Sequence, residues 1–316
     1  MADPASRSEE LVAILRRGGG IEPNLLVRAD LRGADLSGLR FEHMDLSGAR
    51  LNDAKLAGSS WTGCRLDNAC LDGAVLSNAY FSECTARGAS LRGTRLDHTW
   101  MQKSEWRDCD FHDADMTRLA ALDSAFRACA MKAAIIAEAW LSQCTLQDLD
   151  LDGACWDKVL LPDSALERCS LAGATLSQCA FNRALAPAID LSNAQASGLS
   201  LYRAILDKAC FDGANLDAAI FDMARLDHAS LRGASLQNAR FYAATSLAID
   251  FTGSVMPYAD LSHFEAANAD FSQADLKGAL LHAAQLPSAL WRDTILDNVR
   301  RDDRELREAE LWQPVV

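Results

Sequence analysis

From Leu31 to Leu296 every fifth residue is large and apolar or a small stand-in for one, and the register never slips. Fifty-four consecutive five-residue units run from Ala29 to Asn298 with no insertion or deletion, and Ser246 alone breaks the apolar series. A fixed period held that long marks a repeat architecture. The large residue of each unit, its centre, is Leu, Phe, Trp, Met or Ile except at Ala86, Ala121, Ala186, Ala196, Ser246 and Ala266. Two residues earlier sits a small residue: Ala in thirty units, Cys in seven, Ser or Thr in eight. Where Ala takes the centre at 266 and 121, Phe264 and Leu119 take the small position. That exchange conserves volume, which a packed interior tolerates best.

A period of five fits neither a helix at 3.6 nor a strand at 2. Helical winding would smear the centres around a cylinder, and strand alternation would send successive centres to opposite faces. The period works if the chain turns a corner after every unit, so that all centres point to one axis. Gly, Asn and Asp two places after the centre supply the turn chemistry. Pro162, Pro187, Pro257 and Pro287 each follow a centre directly, at a turn position that favours a fixed φ.

Units such as Ala29-Asp30-Leu31-Arg32-Gly33 and Ala34-Asp35-Leu36-Ser37-Gly38 resemble the pentapeptide-repeat family, whose units read A(D/N)LXX. The resemblance covers the whole array, about 85% of the chain. It implies an all-β fold, a right-handed quadrilateral β-helix of twenty residues per coil and about 13 coils. At ~4.8 Å between stacked strands the rod would be roughly 65 Å long. Such solenoids are stabilised by nearest-neighbour stacking and need capped ends. The expected division is a helical cap over 1–28, the β-helix over 29–298 and a helical tail over 299–316. Ser6 or Ser8 is expected to cap the first helix, which presents Leu11, Ile14 and Leu15 on one face and stops at Gly18. The tail carries Leu306, Leu311 and Trp312. It reads either as a second cap or as a dimer contact, because gyrase-targeting relatives pair through their C-terminal ends.

Composition narrows the function classes. The chain has 316 residues, 49% hydrophobic and 24% charged, with a net charge of −13. No apolar run approaches the ~18 residues of a spanning helix, and the first residues lack the basic-then-apolar pattern of a secretory signal. Of the ten cysteines, seven (Cys64, Cys84, Cys109, Cys129, Cys144, Cys169, Cys179) hold the small inward position, where Cys acts as a compact hydrophobe. Many inward thiols suit a reducing compartment, so the expected location is cytoplasmic. His43, His98, His112, His228, His263 and His282 all read as outward, with no metal-ligand spacing, no phosphate-binding glycine motif and no nucleophile–base pattern. No enzyme activity, cofactor, metal or catalytic residue is expected, and a regular surface offers no cleft.

Stacking at twenty residues lets each outward column be read. The side centred on Leu31, Leu51 and Leu71 carries Asp30, Asp72, Asp110, Asp113, Asp150, Asp152, Asp190, Asp212, Asp250 and Asp270, and nets −6. Excess acid repels nucleic acid, so direct nucleic-acid binding is not expected. The family's gyrase-protecting members resemble a DNA duplex in size and charge, which makes DNA mimicry one reading of this face. A mixed-charge solvated face is the other. The third side places Tyr80, Trp100, Ala120, Trp140 and Leu160 one coil apart immediately before their centres, with Leu122 beside Ala120. A contiguous exposed apolar patch marks a partner surface, and Trp and Tyr dominate interface hot spots. The alternative is an aromatic ladder that shields the sheet. The leading expectation is a non-enzymatic scaffold or adaptor for a protein partner. The resemblance adds two alternatives: a gyrase regulator, and an adaptor or chaperone of a type VI secretion effector.

Overall fold

A computed structural model describes residues 4–17, 22–302 and 304–311. The chain divides into two compact units, Met1–Ser170 and Leu171–Val316. Both are built from the same parallel coil.

The five-residue unit makes its own corner. The residue two after the centre takes a left-handed φ throughout, whether glycine (Gly33, 65°) or not (Asp53, 59°; Ala188, 55°). In the tightest corners the small residue's amide then bonds back to the centre's carbonyl, as from Ala34 to Leu31 at 3.1 Å and from Ala214 to Phe211 at 3.0 Å. This is the i→i+3 bond of a turn with positive φ at its third residue. An Asp before the centre completes it by accepting the amide two residues on: Ser47 to Asp45 at 2.9 Å, Ser272 to Asp270 at 2.8 Å. The Ala-Asp-Leu signature is thus a turn instruction, since Asp side chains favour such local bonds.

In the first unit, Arg40–Glu42, Ser60–Thr62, Tyr80–Ser82, Trp100–Gln102, Ala120–Leu122 and Trp140–Ser142 form a six-stranded parallel sheet in steps of twenty residues. The next side is a five-stranded sheet from Thr85–Arg87 to Ala165–Glu167. The other sides are held mostly by single bridges such as Asp30↔Arg50 and Asp35↔Lys55, with one short strand pair, Ile136–Ala137 on Cys155–Asp157. The second unit is held mostly by such bridges, with one strand pair, Thr245–Leu247 on Glu265–Ala267. The solenoid has about 11 turns, slightly fewer than the thirteen expected. On the Asp30 side, bridges run unbroken from Asp30 to Ala130, but among the described residues none joins Ala130 to Asp150.

Each unit's core is a column of centres. Leu76, Phe81, Leu216 and Phe221 have no exposed surface, and aromatic centres stack coil on coil. Phe41–Trp61 stand at 4.1 Å in the first unit and Phe221–Phe241 at 4.7 Å in the second. Phe264 and Ala266 are both fully buried, as are Leu119 and Ala121. Ser246 fills its central place because its hydroxyl donates to the Leu226 carbonyl at 2.6 Å, which satisfies the buried polar group.

Helix α1 spans Pro4–Arg17 and buries Leu11 and Leu15. It starts at Pro4, so Ser6 and Ser8 lie inside it and neither is its cap; Pro suits the first turn because its missing N–H is unpaired there anyway. Arg16 ties α1 to the first coil through the Asp35 carbonyl at 3.1 Å. Gly18 lies outside the described residues. Helix α2 spans Arg304–Leu311. The last centres, Leu286, Trp291 and Leu296, are only half-buried among the described residues, so α2 does not seal that core end as α1 does the first.

Candidate functional site

The aromatic column rises from strands whose middle residue is a buried centre, which turns each flanking side chain outward. Tyr80, Trp100 and Leu160 are 36%, 37% and 41% exposed, and Trp140 is half-buried. Register pairs Tyr80 with Trp100, and Ala120 with both Trp100 and Trp140. The Ala120 side chain is too small to separate its neighbours, so the two indoles lean together above it, 6.0 Å between centroids and tilted by 41°. Such an offset pair is favourable beyond its burial. Tyr80 donates to Gln102 Oε1 at 3.0 Å, and Leu122 is half-buried beside Ala120. The column therefore shields its sheet and still presents indole, phenol and Leu160 to solvent.

The acidic column is committed to the fold. Asp30, Asp110, Asp150, Asp190, Asp250 and Asp270 each accept the amide two residues ahead, at 2.8–3.4 Å. Asp72 and Asp212 accept from the next coil, each taking a serine hydroxyl at 2.5 Å and an arginine amide; Asp152 takes the Ser170 hydroxyl. Arginines neutralise several of them: Arg32 to Asp30 and Arg92 to Asp110, each at 2.8 Å, and Arg232 to Asp250 at 3.1 Å. The Arg32 hydrogen bond holds the Asp30 carboxyl below the usual carboxylate range. Asp113 sits at a left-handed corner, φ 58°.

Among the described residues the cysteines form no disulfide, and the seven at small positions are buried. Burial pushes Cys144 and Cys169 up to about 11. Cys84 is raised by its bond with Cys64 as well as by burial. Raised thiols are poor nucleophiles. Cys155 alone is exposed.

Two features escaped the sequence reading. The first unit does have a cleft, about 680 Å³, between Met131–Ile136 and Asp150–Trp156, where Ile135 stands 56% exposed. In the second unit His282 is not outward but fully buried, and it meets His263 and Glu310 with ligand atoms within 4.8 Å of one another. Sequence spacing hid this group because Glu310 comes from α2. Of the expected dimer contacts, Leu311 is 74% exposed; Trp312 and the Leu306 side chain lie outside the described residues. No described helix is long and apolar enough to cross a membrane.

A corner every five residues, inward centres and Asp-closed turns define a parallel β-solenoid of the repeat-protein class. Pentapeptide repeats match in eight copies, over residues 25–60, 62–97, 89–120, 188–222, 209–245 and 248–282, and the chain belongs to that family. Among solved structures, HetL from the cyanobacterium Nostoc sp. strain PCC 7120, involved in heterocyst differentiation regulation, is 26% identical; the match covers 77% of this chain and 90% of that one, with a TM-score of 0.23. QnrB1, a plasmid-mediated fluoroquinolone resistance protein, is 16% identical over 73% of this chain and 99% of its own, TM-score 0.30. Rfr23 from the cyanobacterium Cyanothece 51142 is 21% identical over 35% and 63%, TM-score 0.15. Comparison with curated protein sequences gives no match.

Proposed function

We propose that the chain is a non-enzymatic scaffold whose aromatic column, Tyr80–Trp100–Trp140–Leu160, docks a protein partner. The observation that carries this is the Trp100–Trp140 pair, preassembled over Ala120 at 6.0 Å, with Trp100 exposed and Trp140 half-buried. Preorganised aromatics lose little entropy on binding, and buried Trp anchors supply most of an interface's energy. Members of this family are generally structural or binding proteins rather than enzymes, and a flat strand face suits that role. Adaptor or chaperone duty for a type VI secretion effector is one special case. The many inward thiols favour a cytoplasmic setting.

The test compares immobilised wild-type protein with Trp100→Ala/Trp140→Ala and Asp152→Ala variants for proteins retained from the native cell. A protein held by the wild type and by Asp152→Ala, but lost from the double variant with circular dichroism and melting unchanged, supports the reading. Equal retention by all three, or a double variant that unfolds, overturns it.

DNA mimicry toward gyrase rests on the acid excess, a net −13. It has weaker support, because the carboxylates of the acidic side are engaged in turns and arginine pairs. Inhibition of gyrase supercoiling by the purified protein would restore that reading. A homodimer through the C-terminal end draws support from the half-buried Leu286, Trp291 and Leu296 and the exposed Leu311.

A further inference from the structure

Helix α2 meets the wall of the second unit at an unusual group. Glu310 sets one carboxylate oxygen 2.9 Å from His263 Nε2 and the other 3.4 Å from His282 Nε2. The imidazoles come from adjacent coils, where the His263 amide bonds to the His282 carbonyl at 2.8 Å. Their rings meet edge to face, 5.6 Å apart at 84°, and Tyr242 packs against the far side of His263 at 5.3 Å. Both rings are thus held in place before any ligand arrives. The other nitrogen of His282, Nδ1, lies 3.5 Å from Asp302 Oδ1.

We propose that His263, His282 and Glu310 form a binding site for a divalent transition metal of the zinc class, which clasps α2 to the coil wall. Two imidazoles and a carboxylate are the donor set that zinc takes in three-ligand sites with an open fourth position. Zinc bonds of ~2.0–2.1 Å in a tetrahedron put ligand atoms about 3.3 Å apart; here one ligand atom from each residue lies within 4.8 Å of the others, so a small inward shift of the side chains closes them on the metal. The Asp302–His282–Glu310 line places a carboxylate behind a ligating histidine, the arrangement that orients the ring and raises its basicity. A cavity of about 390 Å³, lined by His282, Asp302, Arg307 and Glu310 among others, leaves the fourth position open to water or a small anion. The exposed Cys155 belongs to the other unit and is replaced in the test to remove a competing ligand.

The experiment uses full-length, chelator-treated protein in a Cys155→Ser background. Zinc is titrated by calorimetry and cobalt(II) by visible absorption. The expected result is one equivalent of metal bound, a tetrahedral cobalt spectrum without sulfur-to-cobalt charge transfer, and slower amide exchange in α2. His263→Gln and Glu310→Gln, both at partly exposed positions, should keep the fold and weaken binding at least about tenfold; Asp302→Asn should weaken it about tenfold or more by removing the charge that orients the His282 ring. No stoichiometric binding, a thiolate spectrum, or unchanged affinity in His263→Gln and Glu310→Gln overturns the proposal.

Discussion

Leu206 and Leu185 lie in one unit and differ only in register, one a centre and the other the residue before a centre. Leu206 has no exposed surface and Leu185 is 43% exposed. Truncating Leu206 to Ala removes fully buried methyl groups and leaves a cavity between stacked coils, a cost of about 3–5 kcal/mol. At Leu185 only about half of the ~1.5–3 kcal/mol transfer value is at stake and water fills the space, so the cost is about 1 kcal/mol. Because solenoid coils couple to their neighbours, Leu206→Ala should also act locally. Urea unfolding followed by circular dichroism measures the first quantity. Amide exchange read by mass spectrometry measures the second, with acceleration expected at the coil levels of Ala186, Leu206 and Leu226. Equal losses at the two leucines, or a larger one at Leu185, would refute the inward and outward assignment.

Other outcomes follow from the same geometry. Leu151 borders the cleft and already lacks neighbours on one side, so Leu151→Ala should fall at the low end of the ~2–5 kcal/mol range for buried leucines, by urea unfolding. Under native conditions a maleimide should label Cys155 first and leave Cys144 and Cys169 intact until urea is added, as peptide mapping would show. Asp148 is held below the usual carboxylate range by its hydrogen bond from Arg168, 2.5 Å away. Its folded pKa lies below the unfolded ~3.9, so the pair's contribution is present above that value and is lost as pH falls through the folded pKa. Asp148→Asn should therefore lower the melting temperature slightly at about pH 6 and not at all well below about pH 3. If the C-terminal end pairs, light scattering should give twice 34.3 kDa, and Trp291→Asp should return it to the monomer.

The five-residue corner was legible in the sequence because everything that makes it lies within five residues. The centre, the left-handed residue two places on, the small residue that bonds back and the Asp that accepts the turn amide are all local. The same locality made the buried cysteines and the Phe264–Ala266 exchange readable. The tertiary structure alone decided what depends on docking between distant residues. Trp100 reaches Trp140 across forty residues only because Ala120 lies between them. His282 occupies an outward position in its unit, yet α2 covers it and brings Glu310 from 28 residues away. The cleft opens where coil stacking lapses between Ala130 and Asp150, although the pentapeptide pattern runs on unbroken. A local repeat specifies each bend of the backbone; which side chains then meet across coils, and where a helix lands on them, follows from packing in three dimensions.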